Sequence, residues 1–113
     1  MKRDVRLYLE DIDGRISKIF SFVDGMEWED FRYDDKTVSA CIREIEVIGE
    51  ASKQLPKEIT ERFDDLPWSL MAKMRDKLIH WYFDVDEEIV WKVVKEKLPY
   101  VQKRIRDILA SIG

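Results

Sequence analysis

The chain has 113 residues, which is enough for one compact domain but too few for two. Hydrophobic residues make up 45% and charged residues 39%, so the chain can bury a core and wholesale disorder is excluded. Its 20 basic and 24 acidic residues give a net charge of −4, which argues against a protein that coats nucleic acid through a broad basic face, although a small basic cleft remains possible.

The first half of the chain is predicted to hold two long helices. Apolar residues recur at steps of three and four from Val5 to Val23, and Asp24-Gly25 then supplies a stop. Met26 to Tyr33 is predicted to be an aromatic-rich connection. The second helix should start near Asp34-Asp35, because carboxylates suit the free amides and positive end of a helix, and should end at Pro56. Its predicted inward face is Val38, Cys41, Ile42, Ile45, Ile48, Ser52 and Leu55.

The second half is predicted to continue with shorter helices. A short helix covers Glu58 to Phe63, and Pro67 suits the first position of the next one. A third helix should start at the acidic run from Asp84 to Glu87. Pro99 is expected to interrupt it, since proline lacks the amide hydrogen and clashes with the preceding turn, and the last helix runs from there. The predicted inward residues are Trp68, Met71, Met74, Leu78, Ile79, Ile89, Val90, Val93, Val94, Val101, Ile105, Ile108 and Ile112.

These elements predict one all-α domain over residues 1–113, an up-and-down antiparallel bundle of four to five helices. The apolar faces are broad for so small a domain, which favours a homodimer. No apolar run is long enough to span a bilayer, and no secretory signal is expected. A single cysteine fits a reducing cytoplasm. The chain has no asparagine and is rich in Glu, Lys and Arg, which leans toward a heat-adapted source.

Several kinds of chemistry are absent from the sequence. It has no glycine-rich phosphate loop, and one histidine and one cysteine are too few for a metal centre built on those ligands. The acidic residues alternate with Lys and Arg on helix faces, as on a solvated surface, so we expect neither a metal nor a cofactor. Cys41 lies in the apolar stripe of the second helix, which predicts a core residue and not a nucleophile.

The segment from Met74 to Asp84 holds the chemistry-bearing residues. Asp76 and His80 are four residues apart, so on a helix they can touch, and the carboxylate would orient the imidazole and favour its charged form. Arg75 and His80 are about 140° apart around a regular helix and converge poorly within one chain unless the helix ends near His80. On periodicity alone, the favoured interpretation is structural: His80 and Tyr82 cap the helix and fill the gap to the next one.

The same residues carry a family resemblance. Arg75, His80 and Tyr82 form the R-x4-H-x-Y signature, and residues 42–53 resemble an R-x-x-E-x-I-G-E-A stretch. Leu66-Pro67-Trp68 and the stretches Met74 to His80, Tyr82 to Asp86 and Ile89 to Trp91 follow the order and spacing of the same family. In these features, over nearly its whole length, the chain resembles HepT-like ribonuclease toxins of the HEPN-domain class.

The resemblance implies an all-helical HEPN-like fold, a homodimer and metal-independent cleavage of RNA by Arg75 and His80. It implies a toxin–antitoxin system of the type II or type VII kind, whose antitoxin is a minimal nucleotidyltransferase of the MNT type. That partner can attach AMP to the motif tyrosine, which is Tyr82 here. Asp76 occupies the family's polar position after the arginine. Trp81 departs from the small or polar residues common there, and its indole would narrow access to the site or stack on a base.

A mechanism consistent with this resemblance uses both subunits of a dimer. Histidine can exchange protons near neutral pH, and arginine offers a fork of donors to phosphate oxygens. A two-fold axis would bring two copies of His80 and Arg75 into one cleft, where Asp76 orients the imidazole and Tyr82 lines the wall. AMP on Tyr82 would then repel RNA and pair with Arg75. The alternatives are a non-catalytic adaptor for a nucleotidyltransferase and a structural bundle without a site.

Overall fold

The described part of the molecule is a helical assembly. The computed structural model describes residues 4–69, 71–73 and 86–112, and within these ranges it has helices joined by short turns and no β-strand. This confirms the predicted all-α class. The helices are α1 (Val5–Val23), α2 (Trp28–Phe31), α3 (Asp35–Lys53), α4 (Lys57–Arg62), α5 (Glu87–Lys92) and α6 (Leu98–Ile112), with a π-helical segment at Val93–Lys97.

The two long N-terminal helices begin where the sequence predicts, and α1 also ends there, whereas α3 ends at Lys53, three residues before Pro56. The Asp4 side chain accepts a hydrogen bond from the Arg6 amide at 2.9 Å, which caps α1. Gly25 follows the helix with φ of 76°, a left-handed conformation that favours glycine. Asp34 caps α3 by accepting from the Thr37 amide at 3.0 Å. Side-chain caps therefore fix both helix starts.

The core lies where α1 packs on α3 and on α6. The α1–α3 interface is the largest, and α6 covers a second face of α1. Burial of these apolar stripes is the main driving force for the assembly. Residues that are completely buried in it include Leu9, Ile12, Ile16, Ile19, Cys41, Val94, Ile105 and Ile108.

The connection predicted from Met26 to Tyr33 contains a short helix, α2. Glu27 and Asp30 form a reciprocal capping box at its start, with the Glu27 amide donating to Asp30 Oδ2 at 2.9 Å. Phe31 is completely buried, and its ring centroid lies 4.8 Å from that of Trp91 on α5. A four-residue helix has no recognisable period, so the sequence showed only its aromatic character.

Two predictions about the C-terminal half are wrong. Ile89 was expected inside but is 46% exposed, because α5 turns the neighbouring Val90 into the core instead. Pro99 was expected to interrupt the helix, yet the chain is helical from Glu87 to Ile112. In the π-helical segment the Leu98 amide donates to the Val93 carbonyl, five residues back. The wider spacing before Pro99 accommodates a residue that cannot donate, so the helix continues.

Candidate functional site

The four predicted site residues, Arg75, Asp76, His80 and Tyr82, lie outside the described residues. So do Trp81 and the predicted inward residues Met74, Leu78 and Ile79. The described structure instead shows how the chain is held on both sides of this segment, at residues 63–73 and from residue 86 onward.

On the N-terminal side, the chain approaches the motif through an anchored helical stretch. Trp68 and Met71 are buried, which confirms the predicted inward face as far as it is described, and Leu66 is buried as well. The Trp68 indole donates from Nε1 to the Phe63 carbonyl at 2.9 Å. Residues 68–69 and 71–73 are helical, and Pro67 precedes them as a cap whose carbonyl accepts from the Met71 amide at 2.9 Å. Lys73, the last described residue before Arg75, therefore belongs to a helical stretch that is anchored by the buried side chains of Trp68 and Met71.

A charged side-chain cluster ties this turn to α6. Asp65 accepts from Arg104 Nε at 2.6 Å and Nη2 at 3.1 Å, and the Tyr100 hydroxyl donates to the same carboxylate at 2.7 Å. The hydrogen bonds from Arg104 and Tyr100 hold the pKa of Asp65 well below its usual range. Bonding to Asp65 raises the pKa of Tyr100 above its usual value. Asp65 is thus charged and oriented throughout the physiological range.

On the C-terminal side, the chain re-enters the described structure at a capped helix. Asp86 accepts from the Glu88 amide at 2.9 Å and so starts α5, as the sequence predicted for the acidic run that ends at Glu87. Val90 is buried, and α5 continues through the π-helical segment into α6. The two described flanks of the motif segment are therefore both attached to the helical unit from Glu87 to Ile112.

The α3 stretch that resembles the family pattern presents charge on its exposed side. Ile48, Gly49 and Ala51 are buried, whereas Arg43 is exposed and lies 3.9 Å from Glu46. Glu44, which the pattern does not include, is a buried acid. It pairs with Arg15 at 3.2 Å and Lys18 at 3.5 Å, both on α1. This stretch therefore contributes packing through its apolar residues and an ion-paired cluster through Glu44.

Cys41 is a core residue, as predicted. Its side chain is completely buried, and burial together with the nearby Glu44 raises the pKa of Cys41 to about 11. A thiol with so high a pKa stays protonated at neutral pH and is a poor nucleophile.

The described surface beside the motif flank is a shallow groove. It has a volume of about 410 Å³ and is lined by Leu66, Trp68 and neighbouring residues that include Glu61 and Asp64. The acids make it unsuited to phosphate. Across the part of the chain that is described, no cluster of three or more His, Cys, Asp or Glu side chains is placed to hold a metal ion. Nor is any helix there long and apolar enough to cross a membrane.

Asp65, Tyr100 and Arg104 were not singled out by the sequence. Asp65 is 35 and 39 residues from its two partners, and an acid in a turn or an arginine on a helix is commonplace. The only sequence signal was that the Asp64-Asp65 pair immediately precedes the Leu-Pro-Trp motif, and it carries no information about the partner.

Comparison with known proteins agrees with the resemblance seen in the sequence. A family model described as "Ribonuclease HepT-like" matches residues 12–108. The "Probable ribonuclease HepT" of Thermococcus cleftensis is 45% identical over 108 residues, which are 96% of this chain and 98% of that protein. A "Putative RNase" of Methanocaldococcus jannaschii is 43% identical over 111 residues, 98% of this chain and 92% of that protein. No solved structure gives a significant match.

Proposed function

Since the chain belongs to the HepT-like ribonuclease family, we propose that it is the toxin of a toxin–antitoxin pair and cleaves RNA without a metal ion. Residues 1–113 form a single domain of this family in the proposal. The observation that carries it is the R-x4-H-x-Y pattern at Arg75, His80 and Tyr82 in a chain whose family match extends over residues 12–108.

The residue types in the motif suit cleavage of a phosphodiester that carries its own nucleophile. The ribose 2′-hydroxyl attacks the adjacent phosphorus, so the protein must remove one proton, supply one to the leaving oxygen and stabilise the phosphorane charge. His80 can exchange a proton near neutral pH. Arg75 offers a fixed fork of donors to the phosphate oxygens, and Asp76 would orient the imidazole.

The site is proposed to be shared between two copies of the chain. Each copy has one histidine, whereas the reaction has two proton transfers. Within a regular helix Arg75 and His80 would also point about 140° apart. Pairing two copies around a two-fold axis supplies two imidazoles and two guanidinium groups to one cleft, which resolves both difficulties. Tyr82 would line this cleft.

The proposed partner is a minimal nucleotidyltransferase of the MNT type that acts as the antitoxin. Transfer of an adenylyl group from a nucleoside triphosphate to the Tyr82 phenol oxygen would release pyrophosphate and leave a phosphodiester on the tyrosine. That anionic group would repel RNA phosphates and could pair with Arg75, which silences the enzyme.

The direct test is RNA cleavage by the purified chain in the presence of a chelator. We expect the wild-type protein to cut total RNA, and His80→Ala and Arg75→Ala to lose cleavage while retaining the helical circular dichroism spectrum. Arg106→Gln is the matched control, because Arg106 is an exposed cation that pairs with Asp13 on α1 and is not part of the motif. Wild-type cleavage rates for His80→Ala in chelator would overturn the catalytic assignment.

A second candidate is a non-catalytic adaptor that binds the nucleotidyltransferase through the same helices. The net charge of −4 favours it, since an acidic body is a poor general binder of RNA. Expression without the partner separates the two functions. A ribonuclease toxin should arrest growth in a way that His80→Ala relieves, whereas an adaptor should be harmless in both forms.

A further inference from the structure

We propose that Asp65, Tyr100 and Arg104 are positioning residues that fix the helical stretch leading into the motif and thereby set the rate of RNA cleavage. The inference rests on the proposed ribonuclease function. It assigns no contact with RNA to these three residues. We call the three side chains the α6 tie, since Tyr100 and Arg104 lie on α6 and Asp65 lies in the turn after α4.

The α6 tie has the geometry of an orienting contact. Arg104 binds both carboxylate oxygens of Asp65, with Nε 2.6 Å from Oδ2 and Nη2 3.1 Å from Oδ1. Two parallel bonds from a planar guanidinium fix rotation as well as distance, which a single bond or a lysine does not. Tyr100 adds a third bond to Oδ2 at 2.7 Å. The Asp65 carboxylate is therefore held in one orientation relative to α6.

The turn that carries Asp65 has little other support from the helix before it. α4 has six residues and buries none of them. A helix of that length is marginal without tertiary packing, so α4 cannot define where the following chain points. Beyond it, the buried side chains of Leu66 and Trp68 hold the chain against the core, and the α6 tie adds the directional polar contact.

The α6 tie also relates the two ends of the motif segment. Arg75 comes ten positions after Asp65 in the chain, and residues 68–69 and 71–73 between them are helical. The other end of the segment joins α5 at Glu87, and α5 runs through the π-helical segment into the helix that bears Tyr100 and Arg104. One continuous helical unit thus holds the chain before the motif by the tie and the chain after it by covalent connection.

The exposure of the side chains in the α6 tie predicts whether breaking it changes stability or catalysis. Exposed ion pairs contribute little to global stability because water and salt screen them. Catalysis is more sensitive, because a displacement of about 1 Å in a reacting group can cost as much as a hundredfold in rate. Breaking the tie should therefore lower the turnover number with little effect on thermal unfolding, which distinguishes a positioning role from a merely structural one.

The experiment compares Asp65→Asn, Tyr100→Phe and the matched control Arg106→Gln, which breaks a polar contact between α6 and α1 at 3.0 Å instead. We expect Asp65→Asn to lower kcat about tenfold with KM within about twofold of wild type. The kcat of Tyr100→Phe should fall less than that of Asp65→Asn, because the two hydrogen bonds from Arg104 to Asp65 remain. All three should melt within a few degrees of one another. Hydrogen exchange in the peptide covering residues 66–73 should accelerate in Asp65→Asn and not in the control.

The outcomes separate this inference from the function on which it rests. If wild type and Arg106→Gln cleave RNA and Asp65→Asn cleaves at the same kcat, the positioning role is refuted and the ribonuclease stands. If Asp65→Asn loses activity only as it unfolds, the tie is structural and the proposal fails. If the wild-type chain cleaves no RNA, the proposed function fails, and equal exchange at residues 66–73 in Asp65→Asn and Arg106→Gln would refute the anchoring as well.

Discussion

Replacing Arg15 with methionine should destabilise the fold more than replacing Glu44 or Lys18, the other two members of the ion cluster between α1 and α3. Glu44 projects from α3 with its side chain 8% exposed. Arg15 Nη1 lies 3.2 Å from Oε2, and Lys18 Nζ lies 3.5 Å from Oε1. The side chains of Arg15 and Lys18 are more exposed, at 33% and 55%. Removing each of the three residues therefore leaves charged groups that differ in how well water can reach them.

The expected magnitudes follow from that difference. Arg15→Met leaves a nearly buried carboxylate with only the longer contact to Lys18, and it also removes the more exposed Arg15–Asp11 pair within α1. An undercompensated buried charge of this kind costs about 2–3 kcal/mol. Glu44→Gln leaves two cations that can regain water, so we expect about 1 kcal/mol. Lys18→Met removes the longer and more exposed contact, for which less than about 1 kcal/mol is expected.

The assay is thermal and denaturant unfolding at one fixed protein concentration. For a domain of this size, 1 kcal/mol corresponds to roughly 4 °C in Tm, so the three variants should be resolved. The double variant Arg15→Met/Glu44→Gln should be less destabilised than the sum of the singles, because the carboxylate that Arg15 compensates is gone. Equal losses for Arg15→Met and Lys18→Met, or strict additivity in the double variant, would refute the reasoning.

Two further predictions concern the core. Phe31→Ala should cost about 3–5 kcal/mol in unfolding experiments, since it removes a completely buried ring, whereas Tyr33→Ala, at 73% exposure, should change stability by less than about 0.5 kcal/mol. Folding raises the pKa of Cys41 from its ordinary value of 9.0 to about 11, so the unfolded chain loses the thiol proton first. Stability should therefore fall between about pH 9 and pH 11 more steeply in wild type than in Cys41→Ala, and parallel curves would contradict this.

The parts of the fold that the sequence predicted are those with long periodic stripes and side-chain caps. α1 and α3 each run for 19 residues and start beside an aspartate, so period and cap agree on where they start. α2 has only four residues, and its aromatic side chains pack on Trp91, which lies far along the chain. Nothing local in the sequence identifies that contact, so the element was predicted as a connection.

The candidate site likewise has one part that the sequence predicts and another part that only the structure shows. A local motif with fixed spacing predicts Arg75, His80 and Tyr82, because RNA cleavage needs those residue types, and their role stays a prediction. The α6 tie joins Asp65 to residues 35 and 39 positions away, and each of the three residue types is ordinary on a helical surface. Only the packing of the turn against α6 shows that they meet.

The failed prediction at Pro99 bears on how the motif is held. Had proline broken the helix, α5 and α6 would be separate elements joined by a flexible turn, and the two ends of the motif segment would rest on different supports. The π-helical segment Val93–Lys97 instead joins α5 and α6 into one continuous helix. One extra residue per turn also rotates α6 about 100° relative to an uninterrupted α-helix. The face on which Tyr100 and Arg104 meet Asp65 is therefore set by the same irregularity that accommodates the proline.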